Sequence, residues 1–82
     1  MADRASRVRI AKNFVERYGA EGLARFLEAL GDGQSGQAIA DEFQVSRERV
    51  RQWKNAFGQS VTLYQVFPEI RSVLSDAAAK PE

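Results

Sequence analysis

The sequence predicts an all-α fold, a small bundle of about five helices. Three observations point there. Apolar residues recur at steps of three and four along most of the chain, the spacing of one face of a helix. Turn and cap signals fall between those stretches: Gly19, Gly31-Asp32-Gly33, Ser35, Ser46 and Gly58. At 82 residues there is room for one domain with one core, spanning 1–82, and for no linker to a second.

Residues 3–18 read as a first helix. Val8, Ala11, Phe14, Val15 and Tyr18 form its apolar stripe, with Arg4, Arg7, Arg9, Lys12 and Arg17 on the remainder, and Gly19 is its stop. A basic amphipathic helix suits a membrane surface, a solvated domain face or a set of phosphate contacts; the solvated face is the favoured reading. Residues 20–30 form a second helix with Leu23, Phe26, Leu27 and Leu30 inward. The Gly31-Asp32-Gly33 turn that follows lacks the lysine and glycine spacing of a phosphate loop and the ligand series of a calcium loop. Ser35 caps a short third helix ending at Phe43, with Ile39, Ala40 and Phe43 inward. Gln44-Val45 makes a tight turn, and Ser46 caps a fourth helix that Gly58 closes. The apolar run of Val61, Leu63, Tyr64, Val66 and Phe67 is rich in strand formers, so 60–67 reads either as a helical turn or as a short strand. Pro68 suits the first turn of a last helix over 68–79, with Ile70, Val73 and Leu74 inward, and residues 77–82 are expected to fray.

Composition narrows the chemistry. With neither cysteine nor histidine, the chain lacks thiolate ligands, a thiol nucleophile, the commonest general base and the commonest metal ligand. The expectations are therefore no catalysis, no cofactor, no metal and no small-molecule substrate. No apolar run reaches the length of a membrane span and no secretory signal is evident, so the expected address is the cytoplasm or nucleoid. The net charge of +1 conceals a pattern. Residues 1–18 carry five basic and two acidic side chains, 19–45 one and five, 46–57 four and one. Basic segments flanking an acidic one are the sign distribution that a nucleic-acid footprint requires.

The stretch 35–57 concentrates this pattern. At about 100° per residue, Arg47, Arg51, Asn55, Glu48 and Gln52 span an arc of about 140° on the fourth helix, opposite Val50, Trp53 and Phe57. Arg49 and Lys54 flank the arc at its two edges. Arginine pairs with guanine, glutamine or asparagine with adenine, and glutamate accepts from cytosine, so the arc carries base-reading groups. The expected base contacts are Arg47, Glu48, Arg51, Gln52 and Asn55; the expected phosphate contacts are Gln37, Ser46, Arg49 and Lys54. Ala40, where two helices cross closely, and Val45, as an apolar plug in the turn, complete the requirements of a helix-turn-helix.

Ser46-Arg47-Glu48-Arg49-Val50-Arg51-Gln52 resembles the recognition helix of region 4 of bacterial primary sigma factors, typically Thr/Ser-Arg-Glu-Arg-Val/Ile-Arg-Gln. That resemblance implies base or near-base contacts from Arg47, Glu48, Arg51 and Gln52 and a backbone contact from Arg49. More broadly, Ala40 to Ser46 followed by Val50 and Trp53-Lys54 is similar to the helix-turn-helix of transposases, phage terminase small subunits and small repressors, and implies a bacterial or phage setting. It covers about 23 of the 82 residues. Sigma region 4 has no tryptophan at the position of Trp53 and continues into a basic leucine-rich helix, whereas Gly58 interrupts here, so the chain is not read as a sigma factor.

The expected function is sequence-specific binding of double-stranded DNA as a small transcription regulator. The alternatives are a DNA-recognition component of phage or mobile-element machinery, and a protein-interaction module on the same scaffold. One recognition helix reads few base pairs, so a homodimer is expected. Segment 58–82 is read as a packing or dimerisation segment: Leu63, Tyr64, Phe67, Ile70 and Leu74 either form the dimer interface or cover Trp53 and Phe57 within the chain.

Overall fold

The computed structural model describes residues 3–60 and 62–79. They form, in order, α1 (Arg4–Gly31), α2 (Gly36–Phe43), α3 (Arg47–Phe57), β1 (Gly58–Ser60), β2 (Tyr64–Val66) and α4 (Pro68–Ala79). The protein is predominantly helical, but the expectation of about five helices is corrected: there are four among the described residues, with a small sheet. The stretches 3–18 and 20–30 run together as α1, which is kinked at Gly19 (φ 78°, ψ 171°). Glycine reaches that positive φ without the penalty a Cβ would impose. The chain bends there and the helix resumes. Asp3 caps the start of α1, its Oδ1 accepting from the Ser6 N–H at 2.8 Å.

In the run after α3 the strand alternative holds, not the helical turn. β1 and β2 form an antiparallel hairpin with Gly58 opposite Val66, Gln59 opposite Gln65 and Ser60 opposite Tyr64. Val61 lies outside the described residues, as do 80–82, on which the expectation of fraying partly falls. Gly58 ends α3 for a different reason from the one its composition suggests. Its φ of 179° is extended, not left-handed. A Cβ at Gly58 would stand 2.2 Å from the Gln65 carbonyl oxygen, so the glycine is there because β2 passes against its backbone.

The core is aromatic and centred on Phe14 of α1. Its ring lies 4.8 Å from Trp53, 5.3 Å from Phe26, 5.7 Å from Phe57 and 5.9 Å from Phe43, centroid to centroid, in tilted or edge-on arrangements. Edge-on packing sets the positive rim of one ring against the negative face of the next. Leu23, Ile39, Val50 and Ile70 close the remaining space. Thus α1, α2, α3 and α4 share one core, and α3 is held by contacts that come from both halves of α1.

Two sets of polar contacts tie α1 to its neighbours. The Arg25 guanidinium grips Glu42 of α2 with Nε and Nη2 at 2.7 and 2.8 Å, and reaches Glu28 at 3.1 Å. Arg7 donates from Nε and Nη2 to Glu69 of α4, at 3.0 and 2.6 Å, and lies 4.4 Å from the Phe67 ring centroid. The Arg7 hydrogen bond holds the Glu69 carboxyl below the usual carboxylate range. Pro68 opens α4, where its missing N–H and fixed φ cost nothing, over the 68–79 span expected from the sequence.

Candidate nucleic-acid interface

The α2–α3 pair is set by local chemistry. Ser35 Oγ accepts from the Ala38 N–H and Ser46 Oγ from the Arg49 N–H, both at 3.1 Å. Each satisfies one of the orphan donors at a helix start. Between the helices, Gln44 takes the left-handed conformation (φ 57°, ψ 48°), and the Val45 N–H donates to the Ala40 carbonyl at 3.0 Å. Ala40 is buried and Val45 half-buried against the core, the places their sizes suggested.

The C-terminus of α3 is finished by the hairpin. The last four carbonyls of a helix have no partner within it. Tyr64 Oη donates to the Lys54 carbonyl at 2.7 Å, and the Phe67 N–H donates to the Phe57 carbonyl at 2.9 Å. Burial pushes the Tyr64 phenol pKa up, so it remains a donor. α3 is therefore capped at both ends, by Ser46 and by residues that follow it.

On α3, Val50, Trp53, Ala56 and Phe57 are buried, while Arg47, Glu48, Arg49, Arg51, Gln52, Lys54 and Asn55 are exposed. All five expected base-reading residues are on that exposed side, and Arg49 and Lys54 stand at its opposite margins. Each margin is backed by a different element. Lys54 and Arg47 border a cleft of about 370 Å³ with Gln34 and Gly36, at the start of α2. Arg49 borders a cleft of about 320 Å³ with Asn13 and Arg17 of α1.

Of the nine residues, Glu48, Arg51, Gln37 and Ser46 are engaged within the chain. Arg51 pairs with Glu48 one turn earlier, and this hydrogen bond holds the Glu48 carboxyl below its usual range. With side chains 62% and 58% exposed, the pair is screened by water and opens at little cost. Gln37 donates from Nε2 to Asp41 at 2.8 Å, so its side chain serves α2 and only the backbone at Gly36-Gln37 is directed outward from the helix start. Ser46 spends its oxygen as a cap, which leaves its O–H to donate. Arg17, Arg47, Arg49 and Lys54 form no ion pair among the described residues. Arg17 and Asn13 escape a reading of 35–57 alone, because nothing in their spacing says that α1 returns beside Arg49.

The tail is largely consumed by packing. Ile70 is buried, and Tyr64, Phe67 and Leu74 are packed against the same core to which Trp53 and Phe57 belong. Leu63, 71% exposed, is the large hydrophobic side chain left in water among the described residues. No described helix is long and apolar enough to cross a membrane, and no three acidic side chains among the described residues converge on a metal-sized site. Comparison with known proteins finds no matching family model, no matching curated protein and no matching solved structure.

Proposed function

We propose that the protein binds double-stranded DNA sequence-specifically, laying α3 in the major groove as the second helix of a helix-turn-helix, and that it acts as a small transcription regulator. The observation that carries this reading is the division of α3. A buried seam anchors it, a face of arginine and amide side chains points outward, and a cation stands at each margin. A major groove presents base edges between two phosphate strands, and a helix with readers in the middle and cations at both edges matches that order. Arg47, Glu48, Arg51, Gln52 and Asn55 read bases; Arg49 and Lys54, with the helix start at Gly36-Gln37 and the Ser46 hydroxyl, hold phosphates. The Glu48–Arg51 pair opens on contact, the arginine turning to a guanine edge and the carboxylate to a cytosine amine.

Two copies acting together suit this reading, since one α3 spans only a few base pairs and specific binders of this kind meet successive major grooves as dimers. Because the tail is mostly used inside the chain, Leu63 is the residue whose substitution tests such an interface, by light scattering of wild type and Leu63→Asp with and without duplex.

A second reading, a protein-interaction module on the same scaffold, draws support from the net charge of only +1 and from the internal pairing of Arg51. Selection of duplexes from a random pool, followed by titration of the winner against salt, separates the two. DNA binding requires an enriched motif and an affinity that falls steeply as salt rises. No enrichment, with no duplex bound at low salt, leaves the protein-interaction module as the better reading.

A further inference from the structure

The cleft between α1 and α3 combines features that the other basic grooves lack. Its lining contains two arginines and no acid. The groove at the start of α2 includes Glu48 beside its cations, the groove along the first turns of α1 includes Glu16, and the groove beside Gln52 and Asn55 is lined by Arg7 and Arg51, which pair with Glu69 and Glu48. In the α1–α3 cleft each guanidinium is carried on an aromatic ring. Arg49 Cζ lies 5.6 Å from the Trp53 centroid and Arg17 Cζ 5.5 Å from that of Tyr18. The two rings are themselves edge-on, 5.7 Å apart. The supports are thus Trp53 of the core and Tyr18 packed against it, and the cations on them come from different helices, α1 and α3.

Two like charges lining one cleft with an apolar floor repel, and the repulsion is relieved by an anion between them. Stacking on a ring limits the positions a guanidinium explores, so less freedom is lost when it grips an oxyanion, and its planar fork matches phosphate oxygens. Asn13 adds an amide donor at the same cleft. We propose that this cleft is a phosphate-binding site formed by Arg17, Arg49 and Asn13, and that its ligand is a phosphodiester of the duplex read by α3. The identity of the ligand rests on the DNA-binding reading; the anion chemistry does not. In consequence α1 is part of the footprint, gripping one strand, while Lys54 and the start of α2 grip the other.

The test uses the full chain and two probes. Arg17 is exposed and outside the core, so Arg17→Ala is expected to retain wild-type helical circular dichroism; Arg17→Lys keeps the charge and serves as the second variant. On a duplex that wild type binds, Arg17→Ala lowers the slope of log affinity against log salt by about one phosphate contact, equally for every sequence, and Arg17→Lys recovers most of it. A wild-type slope in Arg17→Ala overturns the proposal. If wild type binds no duplex, the DNA reading fails and pyrophosphate decides the cleft. The chain's one tryptophan, Trp53, forms its floor. A saturable change in Trp53 emission that Arg17→Ala abolishes keeps an anion site and removes only the phosphodiester; no change in wild type removes the site as well.

Discussion

The buried and exposed sides of α3 are built from the same eleven residues under opposite demands. On one side, Val50, Trp53, Ala56 and Phe57 meet the rings around Phe14, and each position is constrained by shape. On the other, Arg47, Arg51 and Asn55 meet water, and nothing in the fold requires their identity. Such a contrast teaches where selection for folding stops. A side chain whose removal leaves the core intact is available for recognition, whereas Trp53 does both, its buried ring supporting Arg49 at the edge.

The largest expected effect breaks the buried side. Phe57→Ala leaves a void beside Phe14 and Phe26 and destabilises the fold by about 3–5 kcal/mol, while Asn55→Ala changes stability by less than about 0.5 kcal/mol. Urea denaturation of both variants measures the difference; comparable losses would mean that the two faces are not distinct in the way described. The exposed side is then divided by binding. Arg51→Ala reduces discrimination at one base pair by roughly 10- to 100-fold, and Lys54→Ala weakens every sequence alike while lowering the salt slope. Quantitative binding to a panel of single-base variants checks this, and identical behaviour of the two variants would remove the division into readers and margins.

Smaller effects concern what holds α3 in place. Tyr64→Phe removes the hydrogen bond to the Lys54 carbonyl and costs about 1 kcal/mol, with faster amide exchange expected in the last turn of α3. Unchanged exchange there would show that the hairpin does not cap the helix. The smallest is Gln44→Gly. The left-handed strain at Gln44 costs about 1 kcal/mol, part of which is offset by the greater freedom of glycine in the unfolded chain. The expected result is a melting temperature a few degrees higher with duplex binding unchanged; a fall would mean that the Gln44 side chain contributes a contact the glycine loses.

The local devices were legible in the sequence because each acts over three or four residues. Ser35 and Ser46 are caps, Gln44-Val45 is the tight turn, Pro68 starts α4, and the alternation of Val50, Trp53 and Phe57 with charged neighbours orients α3. Gly19 was visible as a break, but the spacing does not distinguish a stop from a kink, since that depends on whether the next segment finds the same core. The hairpin was not legible for a related reason. Its strands are three residues each, too short for alternation to show, and they are held by the close approach of Gln65 to Gly58 and by Tyr64 on α3.

By itself, then, the sequence determined the mainly helical class, the caps and turn of 35–57, and which side of α3 faces outward. These follow from backbone propensity and from a period of 3.6 residues. Only the tertiary structure decided that the tail caps α3 and that Arg17 lies across a cleft from Arg49. Both are meetings of residues ten or more positions apart, beyond the reach of a helical period: the first is set by the close approach of Gln65 to Gly58, the second by the packing of α3 against Phe14 of α1.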